Sequence, residues 1–132
     1  MSVGILLVTH AGVGDAFLSN ALATWPVDLP TRVAALEVPR DGDLDKIGAC
    51  ADALIADLNE GDGVLALVDL GGATPFNLMR ARLGPRLAVV TGLNFPMLMR
   101  ALNYADRPLF EVAAKAADGA LRGVAVYPEV NA

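Results

Sequence analysis

The chain has 132 residues, of which 55% are hydrophobic and 19% are charged, and its formal net charge at neutral pH is −5. This length and hydrophobicity predict one folded domain spanning residues 1–132 and exclude a disordered segment. The acidic charge and the aromatic content of only 5% argue against nucleic acid as a main partner.

The predicted elements alternate between strands and helices along the chain. Strands are predicted at 3–8, 31–38, 64–68 and 87–90, with a further short strand at 124–127. Helices are predicted at 15–25, 44–59, 75–83, 96–104 and 109–117, the second and third beginning at the expected N-caps Asp43 and Thr74. Such alternation is typical of an α/β fold with an open, mainly parallel four-stranded sheet and helices on both faces. In the common flavodoxin-like arrangement the strand order is 2-1-3-4.

Polar residues follow the first and third predicted strands. His10, the only histidine, comes after the first strand, and Asp69 comes directly after the third. In the 2-1-3-4 order these two strand ends face each other across a switch point, where open α/β sheets bind ligands. A carboxylate that accepts the proton of one imidazole nitrogen leaves the other nitrogen as a nucleophile. The pair therefore predicts a histidine that accepts a phosphoryl group and an aspartate that orients it.

The turns around this pair contain residues suited to an anion. The expected phosphate-binding residues are Thr9, Gly71, Gly72 and Thr74, assisted by the N-termini of the helices that follow the first and third strands. Two interpretations of Thr74 remain open, since its hydroxyl can cap its helix or bind the phosphoryl group. One histidine and one cysteine are too few soft ligands for zinc, so neither a metal nor an organic cofactor is expected.

Three segments together resemble one protein family. They are V-T-H-A at 8–11, V-D-L-G-G-A-T-P-F-N at 68–77 and G-L-N-F-P-M-L at 92–98, and they cover about the first hundred residues. They resemble the mannose-family enzyme IIA of the bacterial phosphoenolpyruvate:sugar phosphotransferase system. The family commonly has Gly-Gly-Ser where this chain has Gly72, Ala73 and Thr74. Threonine keeps the hydroxyl, whereas Ala73 disfavours a left-handed backbone and predicts a different setting of the loop.

The resemblance implies a role and partners. His10 would accept phosphate from the carrier protein HPr and pass it to a IIB domain, with the membrane components IIC and IID acting only indirectly. It also implies a homodimer in which the strand at 124–127 joins the neighbouring sheet. Candidate docking residues for partner proteins are Phe76, Asn94, Phe95 and Pro96, together with Phe17 and Met97.

Other functions stay open at this stage. The phosphotransferase-dependent dihydroxyacetone kinase subunit resembles the same fold and shares the Asp-Leu-Gly start of the loop at 69–71. A purely regulatory IIA-like protein fits the same residues. A dinucleotide-binding enzyme is disfavoured because Phe17 stands where the third glycine of G-x-G-x-x-G is needed. A receiver domain is disfavoured because acidic residues are missing after the first strand.

Cellular location and buried surface are also predicted. The apolar runs are too short to cross a membrane and no signal sequence is recognisable, so a cytoplasmic protein is expected. Cys50 and Leu44 lie within the helical pattern of residues 44–59 and are expected to be buried.

Overall fold

A computed structural model describes residues 2–129 and shows one four-stranded sheet. Its strands are β1 (Gly4–His10), β2 (Val33–Val38), β3 (Val64–Val68) and β4 (Leu87–Thr91). All neighbouring strands are parallel and the order is β2-β1-β3-β4. The predicted fold class and strand order are therefore confirmed.

Five helices cover the two faces of the sheet. They are α1 (Val13–Thr24), α2 (Leu44–Leu58), α3 (Thr74–Arg80), α4 (Phe95–Asn103) and α5 (Leu109–Arg122). One hydrophobic cluster joins the sheet to α1, α4 and α5, and a second joins it to α2 and α3. None of the helices described is long and apolar enough to cross a membrane.

The residues of β1 alternate between these two faces. Ile5 and Leu7 belong to the cluster beneath α1, α4 and α5, whereas Leu6 and Val8 belong to the cluster beneath α2 and α3. Strands of a parallel sheet that is covered on both sides are apolar throughout for this reason. The same alternation puts Thr9 on the α1 side and His10 on the α2 and α3 side.

The strand β1 is longer than predicted. Its pairing with β2 continues to the end, where Val38 is the Cα partner of His10. Thr9 and His10 therefore belong to the ladder and not to the loop that follows. This pairing fixes the backbone of His10 on one side, while its side chain stands at the edge of the sheet.

The N-cap of α3 differs from the prediction. The backbone N–H of Asn77 donates to the carbonyl of Ala73 at 3.0 Å, so the first helical hydrogen bond begins at Ala73. Ala73 has extended backbone angles and is the N-cap, and Thr74 is already helical. No side chain caps this helix, which leaves the Thr74 hydroxyl without a capping role. Asp43, in contrast, caps α2 as predicted and accepts from the N–H groups of Asp45 and Lys46.

The C-terminal part of the described chain contains no fifth strand. The helix α5 continues to Arg122, five residues beyond its predicted end at 117, and residues 124–127 pair with no strand among residues 2–129. The N–H of Val124 instead donates to the carbonyl of Leu121. The apolar side chains of this segment are left exposed: Val124, Val126 and Tyr127.

Two residues that were expected in the core lie at the surface. Cys50 is exposed on the outer side of α2. Leu44 is the first residue of α2 and is also exposed. The apolar residues of α2 pack against the sheet from Ile47 onward.

Candidate functional site

His10 and Asp69 meet at the carboxyl ends of β1 and β3. The ring nitrogen Nδ1 of His10 lies 2.9 Å from Oδ2 of Asp69, and the same oxygen accepts the backbone N–H of His10 at 3.0 Å. The His10 side chain is 43% exposed and the Asp69 side chain only 16%. The carboxylate thus holds the ring from behind and leaves the outer edge of the imidazole open.

The charge state of Asp69 determines which imidazole nitrogen is available. Burial by itself would raise the pKa of Asp69, but the hydrogen bonds from the His10 ring and backbone outweigh it and hold that pKa below its ordinary value. An ionised carboxylate can only accept hydrogen bonds, so the proton between the two groups resides on Nδ1. In the neutral ring, Nε2 then carries the free electron pair and can act as a nucleophile.

A cleft of about 260 Å³ lies beside the imidazole. His10 forms one wall, and the other walls come from the end of β2, the loop after it and the first residues of α2 and α3: Val38, Pro39, Arg40, Gly42, Leu44, Thr74 and Pro75. The cleft therefore adjoins the half-exposed ring of His10.

The predicted phosphate-binding residues after β3 lie at this end of the sheet. Thr74 lines the cleft, and its side chain accepts or donates no hydrogen bond within residues 2–129. Gly71 and Gly72 are exposed in the turn before it. The left-handed backbone of this turn falls on Gly72, with φ of +84°, while Ala73 is extended with φ of −85°. The alanine is therefore accommodated without strain.

Thr9 and the start of α1 are occupied by the protein's own hydrogen bonds. Thr9 is fully buried, and its hydroxyl donates to the carbonyl of His10 and accepts the N–H of Gly14, both at 2.8 Å. Oε2 of Glu37 accepts the N–H groups of Gly12 and Asp15 at 2.8 and 3.2 Å. The anion expected at this helix N-terminus is thus a carboxylate of the chain itself. We do not retain Thr9 or the α1 N-terminus as phosphate ligands.

The predicted docking residues lie on two different faces of the molecule. Phe95 stacks on Phe17, with ring centroids 6.3 Å apart, and the two line an apolar groove of about 510 Å³ between α1 and α4. Pro96 is exposed next to them. Phe76 packs instead against the cluster beneath α2 and α3, on the opposite face.

Two further docking candidates have structural roles. Met97 is only 1% exposed and belongs to the core, so its assignment to a docking surface is wrong. Asn94 is the N-cap of α4: its Oδ1 accepts the N–H of Met97 at 2.9 Å, and its Nδ2 donates to the carbonyl of Ala120 at 3.1 Å. Asn94 thereby joins α4 to α5.

Three residues of the site had no role predicted from the sequence. Arg40 lines the cleft, Glu37 caps α1, and Leu70 is an exposed leucine directly after Asp69. The sequence feature that could have revealed Glu37 is a single carboxylate in an otherwise apolar strand. Arg40 is one of the polar residues that follow β2, at the same edge of the sheet as His10 and Asp69.

Within residues 2–129 no three histidine, cysteine or acidic side chains are grouped so that they could hold a metal ion. The side chains that the structure brings together here are an imidazole and a carboxylate.

The fold and the site define an α/β protein whose single histidine contacts an aspartate at the switch point of a parallel sheet. A family model described as "PTS system fructose IIA component" matches residues 4–117, and the chain belongs to this family. It is therefore a IIA-type phosphocarrier component of the phosphoenolpyruvate:sugar phosphotransferase system (PTS), a role that involves HPr and IIB components in general.

Solved structures agree with this assignment. The chain is similar to the mannose/sorbose-specific IIA subunit from Enterococcus faecalis, with 25% identity, a TM-score of 0.83 and coverage of 99% of this chain and 100% of the other. It is also similar to the phosphotransferase component EIIA from Streptococcus agalactiae, with 22% identity, a TM-score of 0.79 and coverage of 95% and 97%. The PTS IIA protein associated with the fucose utilization operon of Streptococcus pneumoniae has 23% identity, a TM-score of 0.74 and coverage of 89% and 93%.

Proposed function

We propose that Nε2 of His10 accepts a phosphoryl group from phosphorylated HPr and passes it to a IIB domain. The observation that carries this proposal is the contact of Asp69 with Nδ1, which leaves Nε2 free on a half-exposed ring. Asp69 orients the ring and does not react itself. The same arrangement of a carboxylate behind an imidazole serves histidines in catalytic triads.

The proposed transfer is a displacement between two imidazole nitrogens. Nε2 of His10 attacks phosphorus, the bond from phosphorus to the HPr nitrogen breaks, and the departing nitrogen keeps the electron pair. The His10 ring then carries a phosphoryl group on Nε2 and a proton on Nδ1, so it is positively charged beside the Asp69 carboxylate. Transfer to IIB repeats the step in the opposite sense, and no proton, metal or cofactor is consumed.

We assign contacts with the phosphoryl group to Thr74, Gly71 and Gly72. Thr74 supports this because it lines the cleft with His10 and its hydroxyl is not used to cap α3. The two glycines support it because they lie in the exposed turn between Asp69 and Thr74. A small residue without a side chain allows close approach of the backbone to an anion.

We also propose the surface that meets the partners and an association of two chains. Phe95 lines the groove between α1 and α4, and Pro96 is exposed beside it. Phe76 packs on the opposite face of the sheet, with α2 and α3, so partners would contact the carboxyl ends of the strands from both faces. The exposed apolar segment at 124–127 supports a homodimer, as does the outer edge of β4, with which no other strand among the described residues pairs.

A reconstituted phosphotransfer assay tests this function. The protein is incubated with phosphoenolpyruvate, enzyme I and HPr, and its intact mass is measured before and after acid treatment. We expect one acid-labile phosphoryl group on the wild type and none on His10→Ala. A chase with IIB then separates the roles: loss of the label to IIB supports transport, and loss only to a dihydroxyacetone kinase subunit identifies that alternative. A label that persists in His10→Ala contradicts the assignment.

A further inference from the structure

We propose that Arg40 binds the phosphoryl group carried by His10, as a cation supplied by this chain itself. This inference rests on the proposed function and adds a residue to it. Apart from His10, Arg40 is the only residue that can carry a positive charge among those that line the cleft beside the imidazole. Guanidinium groups bind phosphoryl oxygens through two parallel N–H bonds and keep their charge at every physiological pH.

The sheet register brings Arg40 to the reacting ring. Val38 is the Cα partner of His10 across β1 and β2, and neighbouring strands lie about 4.8 Å apart. Arg40 follows Val38 by two residues, in a turn closed by the hydrogen bond from the N–H of Gly42 to the carbonyl of Pro39. The long side chain thus starts from a fixed turn on the same rim as His10.

Arg40 is also free to bind an anion. Most arginines in residues 2–129 already bond to a carboxylate or a carbonyl: Arg32, Arg82, Arg86, Arg100, Arg107 and Arg122. Arg40 has no such partner among the described residues, and neither does Arg80 at the far end of α3. Arg80 does not line the cleft, so it provides a matched control.

The charge around the site explains why a cation is needed. A phosphoryl group on Nε2 brings negative charge to a ring that already has the Asp69 carboxylate behind it. Asp41 and Asp43 follow Arg40, and the carboxylate of Asp43 is engaged in capping α2. A guanidinium in the cleft offsets this repulsion. It thereby shifts the equilibrium of the phosphoryl group from HPr toward His10.

The test compares Arg40→Gln, Arg40→Lys and Arg80→Gln with the wild type. Each protein is equilibrated with phosphorylated HPr, and the phosphoryl group is measured on both proteins. We expect Arg40→Gln to lower the equilibrium constant for transfer from HPr to this chain about tenfold, which corresponds to one charge-assisted hydrogen bond. Arg40→Lys keeps the charge but not the paired N–H groups, so its equilibrium constant should lie between those of the wild type and Arg40→Gln. Arg80→Gln should have the equilibrium constant of the wild type.

A second arm uses potassium phosphoramidate, which phosphorylates histidine with loss of ammonia and without any partner protein. The ³¹P signal of the phosphoryl group is then followed against pH. Because a cation favours the fully ionised phosphoryl group, Arg40→Gln should move the midpoint to higher pH, while Arg80→Gln leaves it unchanged.

The outcomes separate this inference from the proposed function. If His10 is phosphorylated but Arg40→Gln and Arg80→Gln show the same equilibrium with HPr and the same pH midpoint of the ³¹P signal, the role of Arg40 is overturned. The proposed function is untouched by that result. A wild type that accepts no phosphoryl group from either donor overturns the proposed function, and the role of Arg40 with it. Equal melting temperatures of the variants would show that the changes concern the site and not the fold.

Discussion

One carboxylate oxygen of Asp69 holds both the backbone and the ring of His10. Oδ2 lies 3.0 Å from the backbone nitrogen and 2.9 Å from Nδ1, although the two residues are 59 positions apart in the chain. Parallel pairing of β1 with β3, in register from Gly4 to Val8, brings them together. The orientation of the imidazole is therefore coupled directly to the geometry of the sheet.

Replacing the carboxylate of Asp69 should slow phosphoryl transfer. The amide in Asp69→Asn has no charge to stabilise the phosphorylated ring and can present a donor to Nδ1. The rate should therefore fall about 10- to 100-fold, the range seen for partners that orient metal-binding histidines. Rapid-quench kinetics with phosphorylated HPr measure this rate. Asp57→Asn is the control, since that exposed carboxylate pairs with Arg32 at the amino end of β2. Equal rates in wild type and Asp69→Asn would remove Asp69 from the mechanism.

The same contact between Asp69 and His10 makes stability depend on pH in a defined direction. Burial opposes ionisation of Asp69, but the His10 hydrogen bonds lower its pKa below the ordinary value of 3.8. A lowered pKa stabilises the fold above that ordinary value, and the stabilisation is lost as the pH falls through the pKa of the folded state. Asp69→Asn should therefore reduce the free energy of unfolding by about 1 kcal/mol at pH 7 and by much less at pH 2.5. Urea titrations at both pH values test this, and a constant difference would contradict it.

Glu37 should stabilise the start of α1. Its carboxylate accepts the N–H groups of Gly12 and Asp15, so Glu37→Ala leaves both without that partner and should cost about 1 kcal/mol of stability, as loss of a capping side chain does. Glu37→Gln keeps an acceptor oxygen and should cost less. Thermal unfolding measures both variants. A melting temperature of Glu37→Ala equal to that of the wild type would show that these contacts do not hold the helix.

Substitutions of Thr74 should affect the rate of phosphoryl transfer, whereas substitution of Asn94 should affect the stability of the fold. The Thr74 hydroxyl caps no helix, so Thr74→Val should slow transfer several-fold with little change in melting temperature, and Thr74→Ser should restore the rate. Asn94 caps α4 and bonds to α5, so Asn94→Ala should cost about 1 kcal/mol of stability and leave the chemistry at His10 intact. Transfer kinetics and thermal unfolding of the same samples test both, and the reverse pattern would contradict the assignment.

The sheet and the central pair were predictable from the sequence for a physical reason. Strands buried on both faces are apolar throughout, so the runs in β1 and β3 were recognisable and the polar residues at their ends were conspicuous. Parallel sheets bring such ends to one rim, and His10 and Asp69 follow from that rule.

Hydrogen bonds that cross between elements were not predictable in this way. Thr9 looks like a second polar residue of the site, but strand alternation turns it toward α1, where its hydroxyl accepts the N–H of Gly14. Likewise, the proline at position 75 suggested Thr74 as a cap, whereas the first helical hydrogen bond falls one residue earlier, at Ala73. Residues 124–127 are apolar like a strand, but within the described part of the chain they pair with neither edge of the sheet.

The central claim is that His10 carries the phosphoryl group on Nε2 while Asp69 holds Nδ1. Since the chain has a single histidine, a long-range ¹H–¹⁵N correlation spectrum of the phosphorylated protein contains one imidazole from this chain. We predict a phosphorus coupling to Nε2 and a protonated Nδ1 in that spectrum. Phosphorus coupled to Nδ1, or an imidazole unchanged by phosphorylation, would contradict the account.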